Sequence, residues 1–309
     1  MLKIRVGTRK SQLALAQVKE VNNILKRTYP NILFEVYPIL TSGDKIQDRN
    51  LFDVGGKALF IKEIEDDLAQ NKIDVAIHSA KDVPPFVNPK TTIISFTKRH
   101  DARDCFISSN YKSIDSLPAG STIGTSSPRR KAILLKIRPD LKIIDFRGNI
   151  ATRLEKLNNV DGSILSYCGL KRVDKVANVK EIISTDSFLP AGGQGSLAIQ
   201  IRSGDSNISQ IFRNANHDET EICIRAERSF LEELGASCFT PVATYGQINS
   251  QRQLNLKTIL LDHDGGELFE LSKSCAANLE DAVSLGKYMA KKTKKDAHLL
   301  VERICKNFS

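Results

Sequence analysis

Short apolar runs alternate with stretches of helical period through the first two-thirds of this chain, and that alternation constrains the fold more than any other feature. Lys3–Thr8 reads as a strand followed by a turn at Arg9-Lys10. Ser11 can cap a helix whose Leu15, Val18, Val21 and Leu25 share one face. Phe34–Leu40, Ile73–His78 and Thr92–Phe96 read as further strands. A helix from about Leu59 to Gln70 presents Phe60, Ile64 and Leu68 at helical spacing. A second series begins near Asp101, with strands at Thr122–Gly124, Lys142–Phe146 and Ser163–Ser166 and helices starting near Ser127 and Asn149. Leu197–Ile201 is one more strand. Such alternation predicts parallel sheets covered by helices on both faces, with ligands bound at the carboxyl ends of the strands.

The last third changes character. Glu219–Leu234 reads as a helix with Ile222, Ala226, Phe230 and Leu234 on one stripe. Three extended stretches follow, Pro241–Gln247, Gln253–Leu261 and Leu268–Ser274. In the second of these, Leu254, Leu256, Thr258 and Leu260 alternate with polar residues, as in a half-buried antiparallel strand. Helices from about Asn278 and Ala297 close a separate α+β domain.

The chain has 309 residues, enough for two or three domains with real cores. No apolar run is long enough to span a bilayer, and the first residues enter a strand directly with no signal-peptide pattern, so the expectation is a cytoplasmic protein without a membrane partner. The net charge is +9, which admits nucleic acid as a partner. However, aromatic residues make up only 6% and Trp is absent, so small anionic ligands are the better explanation for the basic residues. Lys291, Lys292, Lys294 and Lys295 read as a solvated helix face. The six cysteines form no Cys-x-x-Cys pair and the histidines complete no metal cluster, so no metal is expected and the compartment reads as reducing.

The polar motifs fall at strand ends. Gly124-Thr125-Ser126-Ser127-Pro128-Arg129-Arg130 places two arginines in the first turn of a helix capped by Ser127, beside unpaired N–H groups. This is either an anion site or a solvated basic helix start. Arg147-Gly148-Asn149 with Arg153 repeats the pattern, and Arg9 completes a set that a ligand with several carboxylates would use. In His78-Ser79-Ala80-Lys81-Asp82-Val83-Pro84, Asp82 can stabilise a developing cation or move protons; the alternative is an exposed Lys–Asp turn. Cys238 falls on a loop where a thiol can be reached, although its context alone favours a small core cysteine. Thr41–Lys57 reads as a mobile polar stretch. Its Gly55-Gly56-Lys57 is no phosphate loop, because Leu51 and Ala58 stand where glycine and Ser/Thr are required. Gly193-Gln194-Gly195 precedes a strand, which argues for a hinge or tight crossover instead of a dinucleotide site.

Together these motifs, with Gly7-Thr8-Arg9-Lys10-Ser11, Gly55-Gly56-Lys57-Ala58-Leu59-Phe60, Gly192-Gly193-Gln194-Gly195 and Asn216-His217, occur in one order over nearly the whole length, and in that order the chain resembles the porphobilinogen deaminase (hydroxymethylbilane synthase) family. The resemblance implies two lobes like those of a type II periplasmic binding protein around a cleft, plus a C-terminal α+β domain with a small antiparallel sheet. The divisions would be 1–98 with 196–214, 99–195, and 215–309. It implies a transferase that joins four porphobilinogen molecules head to tail and releases ammonia, working from a dipyrromethane cofactor held by a thioether to Cys238. Asp82 matches the catalytic aspartate, which would stabilise charge on the pyrrole and its azafulvene intermediate. Lys81, Ser127, Arg129 and Arg130 match cofactor-binding positions. Arg9, Ser11, Arg147 and Arg153 match positions that bind substrate carboxylates, and Lys57 and Phe60 match a loop over the growing chain. A monomer is expected.

Four positions depart from the family pattern: Asp53 where lysine is frequent, Ala236 and Ser237 in place of a small glycine pair, and Gln200 where an acid is common. The rival reading is a non-catalytic two-lobed binding protein for a polycarboxylate, which would not need Asp82 and Cys238 together.

Overall fold

The computed structural model describes residues 2–45 and 61–305. Lys57, Phe60, Asp53 and most of the Thr41–Lys57 stretch therefore lie outside the described residues. The chain folds as two compact units, residues 1–100 with 196–221 and residues 101–195 with 222–309.

In the first unit, β1 (Leu2–Arg9), β2 (Ile32–Ile39), β3 (Val75–Ser79), β4 (Thr91–Phe96) and β10 (Leu197–Arg202) form one sheet in the order β2-β1-β3-β10-β4. β1 pairs in parallel with β2 and β3, whereas β10 runs antiparallel to both of its neighbours. Helix α1 (Gln12–Leu25) follows β1, and Ser11 caps it by accepting the Ala14 N–H. The face it buries carries Ala14, Gln17, Val18, Val21 and Leu25. Leu15, expected on that face, is 43% exposed, and Gln17 takes its place. The short helix α2 (Ser42–Lys45) precedes α3 (Lys62–Ala69), whose Ile64 and Leu68 pack with Ile73 and Ala76. Helix α7 (Ser206–Phe212) delivers Phe212 into the core formed by Val6, Val21, Ile77 and Ile199. Burying such a side chain is worth about 1.5–3 kcal/mol.

The second unit holds β5 (Asp104–Ile107), β6 (Thr122–Gly124), β7 (Lys142–Ile144), β8 (Gly162–Ser166) and β9 (Val179–Ile182), in the order β7-β6-β8-β5-β9. Here β6 is parallel to β7 and β8, and β5 is antiparallel to β8 and β9. The expectation of purely parallel sheets is thus corrected in both units. The physical reason is the chain path: β5 and β10 are the strands by which the chain enters each unit from the other, so neither is bound to the right-handed βαβ crossover that enforces parallel pairing. Helices α4 (Pro128–Ile137), α5 (Ile150–Glu155) and α6 (Tyr167–Arg172) follow β6, β7 and β8.

Helix α8 (Asp218–Leu234) leads to an antiparallel meander of β11 (Val242–Ile248), β12 (Gln253–Leu261) and β13 (Leu268–Ala276), closed by α9 (Leu279–Asp296) and α10 (His298–Cys305). Phe230, Leu254, Leu256, Leu285, Met289 and Leu300 fill one core on this sheet. Its Ala243, Ile259 and Leu261 join a second core with Phe106, Ile123, Leu134 and Phe188 of the α/β sheet. The molecule is therefore a mixed α/β protein with two five-stranded sheets and a C-terminal three-stranded antiparallel sheet.

Candidate active site

Adjacent parallel strands of the first unit end side by side, and this builds one group of candidate residues. β1 ends at Arg9 with Ser11 capping α1, and its neighbour β3 ends at Ser79 and runs into the 3-10 turn Ala80–Asp82. Arg9 Nη1 and Asp82 Oδ2 are consequently 3.9 Å apart, each side chain about one-third exposed. They line a pocket with Thr8, Ser11, Gln17, His78 and Ser79. Gln17 Nε2 donates to Ser79 Oγ at 2.7 Å, which explains its burial on α1. Lys81 is half-buried in the same turn as Asp82.

The second group lies in the other unit. Ser127 caps α4 by accepting the Arg130 N–H, and Pro128 occupies the first helical turn. Arg129 and Arg130 are both buried, only 5% and 6% exposed, and each Nη2 donates at 2.7 Å to a different oxygen of Asp104, which is fully buried. Arg129 Nη1 also donates to the Leu189 carbonyl, and Arg130 Nη1 to that of Ile164. Burial holds the Arg129 guanidinium below its ordinary value, with the Asp104 charge opposing that shift. The solvated helix start is excluded, because the pair is an internal ion cluster of two cations on one carboxylate. Arg130 Nε is buried with no hydrogen-bond partner among the described residues.

Arg147, three residues beyond β7, and Arg153, on α5, are half-buried. Asn149 caps that helix by accepting the Thr152 N–H, and Arg153 Nε donates to the Gly148 carbonyl at 2.9 Å. Gly148 has a φ of 119°, a conformation that favours glycine, and it turns the chain between Arg147 and the helix.

Cys238 stands on the loop between α8 and β11. Gly235, with φ 78°, ends the helix. Ser237 N donates to Thr240 Oγ1, Phe239 N to Ser237 Oγ, and Thr240 N to the Ser237 carbonyl. Ala236 is buried and anchors one end of this turn. Ala236-Ser237 thus builds a fixed turn from which Cys238 projects, exposed, while Cys105, Cys168 and Cys223 are buried. The core-cysteine reading of Cys238 is corrected accordingly. Surrounding protein nevertheless pushes its thiol above the ordinary value of 9.0.

Sequence reasoning missed Asp104, the hub on which both arginines depend. The available signal was an acid set directly before the apolar run Cys105-Phe106-Ile107, a position that demands a cationic partner. It also missed Gln194, whose buried Nε2 donates to Asp104 Oδ1 and to the Ala102 carbonyl, and Arg172, whose Nη2 donates to the Gly195 carbonyl. Among the described residues no group of His, Cys, Asp or Glu could hold a metal ion, and no helix is long and apolar enough to cross a membrane.

Residues 4–210 match the family model described as porphobilinogen deaminase, dipyromethane cofactor binding domain, and residues 221–295 match the porphobilinogen deaminase C-terminal domain. The chain is 44% identical over 286 residues to a porphobilinogen deaminase of Nitrobacter winogradskyi, covering 91% of this chain and 89% of that protein. It is 47% identical over 247 residues to a protein of the same name from Rickettsia akari, covering 79% of this chain and 82% of that one. Among solved structures it is similar to the methionine-binding protein MetQ, with 13% identity, a TM-score of 0.43, and coverage of 69% of this chain and 89% of that one.

Proposed function

Because the chain belongs to the porphobilinogen deaminase family, we propose that it is a transferase that joins four porphobilinogen molecules head to tail into hydroxymethylbilane and releases ammonia at each addition. The observation that carries this reading is the placement of Asp82 beside Arg9 at the ends of two adjacent parallel strands. Asp82 supplies a fixed negative charge where the substrate pyrrole becomes positive as its amine departs, and it accepts or returns the proton that accompanies carbon–carbon bond formation. Arg9, Ser11, Arg147 and Arg153 hold the acetate and propionate carboxylates, since paired guanidinium donors match a carboxylate and orient it. Lys57 and Phe60 take part from the segment outside the described residues.

The residues present fit a dipyrromethane group. Cys238 offers an exposed thiol on a fixed turn, and Arg130 Nε is a buried donor still lacking an acceptor among the described residues. When bound, the group supplies the priming pyrrole carbon to which the first substrate is joined. Cys238 would hold it by a thioether, and Lys81, Ser127, Arg129 and Arg130 would hold its carboxylates. Asp104 fixes Arg129 and Arg130 in place and leaves one net positive charge for that purpose.

We further read the protein as a cytoplasmic monomer without a nucleic-acid partner, a reading that its six free cysteines support as regards a reducing compartment. Three working parts, 1–98 with 196–214, 99–195, and 215–309, are supported by a separate sheet in each. The deciding experiment is the intact mass of the purified protein together with turnover of porphobilinogen. A covalent dipyrrole and a tetrapyrrole product are expected. The bare chain mass with reversible binding of polycarboxylates would establish the rival binding protein instead.

A further inference from the structure

At the back of the Arg9–Asp82 pocket lies a histidine that the reaction described above does not use. His78, in β3 and 4% exposed, lines that pocket four residues before Asp82. Its Nε2 is 3.1 Å from Oε1 of Gln200, which is wholly buried in the neighbouring strand β10. Gln200 Nε2 in turn donates to Glu65 Oε1 at 2.6 Å and to Thr91 Oγ1 at 2.7 Å. Glu65 Oε1 also accepts the Asn88 backbone N–H, and the Thr91 hydroxyl donates to the Asn88 carbonyl, so Thr91 Oγ1 has no proton left to give and both groups at this end of the amide act as acceptors.

The direction of every bond in this chain follows. The Gln200 amide must turn its NH2 group to Glu65, because its carbonyl there would face a second acceptor. Its carbonyl therefore faces His78, and His78 Nε2 must carry the proton. A neutral ring then leaves Nδ1 unprotonated. We propose that Gln200 is a positioning residue that locks His78 in the neutral, Nε2-protonated tautomer, so that the charge around Asp82 stays constant through the neutral pH range.

The charged groups acting on His78 are Asp82 from the 3-10 turn and Arg9 from β1. Glu65 of α3 reaches it through the Gln200 amide. Burial outweighs Gln200 and Asp82 and lowers the His78 pKa to about 4, with Arg9 acting in the same direction. The consequence for catalysis rests on the reaction proposed above. An imidazolium beside Asp82 would cancel part of the negative charge that stabilises a developing cation. A glutamine, unlike a carboxylate, accepts from His78 without drawing a second proton onto the ring.

The test is long-range 1H–15N NMR of histidine-labelled full-length protein, with kcat measured over the same pH series. His78 is expected in the Nε2–H form from about pH 5.5 to about pH 8.5, with no titration in that window. In Q200E a second carboxylate faces both Nε2 and Glu65. The His78 midpoint should then enter the window, and kcat should fall roughly threefold or more between about pH 8 and about pH 6. Adding His78→Gln to Q200E should remove that pH limb. A wild-type His78 that titrates near its ordinary value, or that carries its proton on Nδ1, overturns the proposal, as does a Q200E profile identical to wild type. The wild-type spectrum decides the point even if Q200E does not fold. It is also independent of turnover, so failure of the proposed reaction would leave it readable.

Discussion

Arg9 Nη1 and Asp82 Oδ2 face each other across 3.9 Å, beyond hydrogen-bond distance but within range of Coulomb attraction. A pair this long and this open to water is worth no more than about 1 kcal/mol of stability. In the reaction proposed above its significance is geometric: Arg9 faces only Oδ2 of the carboxylate, so a substrate cation could still be met by Asp82.

Replacing Asp82 with asparagine should therefore leave the fold intact and remove most of the turnover, by about 100-fold or more. Asparagine is nearly isosteric, and the lost pair contributes little to stability. Thermal unfolding and steady-state rates on the same preparation check both halves. Turnover within a few-fold of wild type would remove Asp82 from the reaction.

Asp104→Asn should act in the opposite way, on stability first. It would leave two buried guanidinium groups without a compensating charge, a change that costs roughly 3–5 kcal/mol. The urea midpoint should drop accordingly. A loss below about 1 kcal/mol would mean that water or an anion takes over the carboxylate's place.

The two arginine motifs should separate under mutation. Arg147 is half-buried, so Arg147→Ala should stall chain assembly at early covalent intermediates, seen by mass as incomplete pyrrole additions, with unfolding unchanged. Arg130 is tied to Asp104 and to the Ile164 carbonyl, so Arg130→Ala should lower stability as well. Equal effects of both variants on stability would contradict the different environments described for them.

Cys238→Ser should fold, carry no covalent pyrrole and make no tetrapyrrole, while replacement of each other cysteine leaves the adduct in place. The raised thiol pKa adds a pH sign. The thiolate fraction at neutral pH is below that of an ordinary cysteine and grows as pH rises through and beyond about 9. Alkylation of Cys238 in protein produced without a porphobilinogen supply should accelerate over that range. Peptide mapping that finds the adduct on another cysteine would refute the assignment.

Local chemistry made much of this legible in the sequence. Ser11, Ser127 and Asn149 were recognisable as caps because a short polar side chain before an amphipathic run has few other uses, and all three accept an N–H from their helices. What escaped was set by distant partners. Arg129 and Arg130 read as ligand-seeking cations because their counter-charge, Asp104, lies on a strand 25 residues upstream of Arg129. Leu15 and Gln17 exchanged roles because the hydrogen bond from Gln17 to Ser79 joins residues 62 positions apart. The antiparallel entry strands could not be read from local pattern, since a fully buried strand looks alike in either direction.

The central place of β10 between β3 and β4 also sets a timetable for synthesis. The first unit cannot complete its sheet when β4 emerges from the ribosome, because the strand that fills the gap lies about 100 residues further on, a delay on the order of ten seconds at ordinary elongation rates. Through that interval β3 and β4 expose unpaired edges, while the strands of the second α/β sheet are made in one continuous stretch. The nascent chain thus carries its interrupted half as an open template until β10 arrives, and that interval is when it is most open to chaperone capture or mispairing.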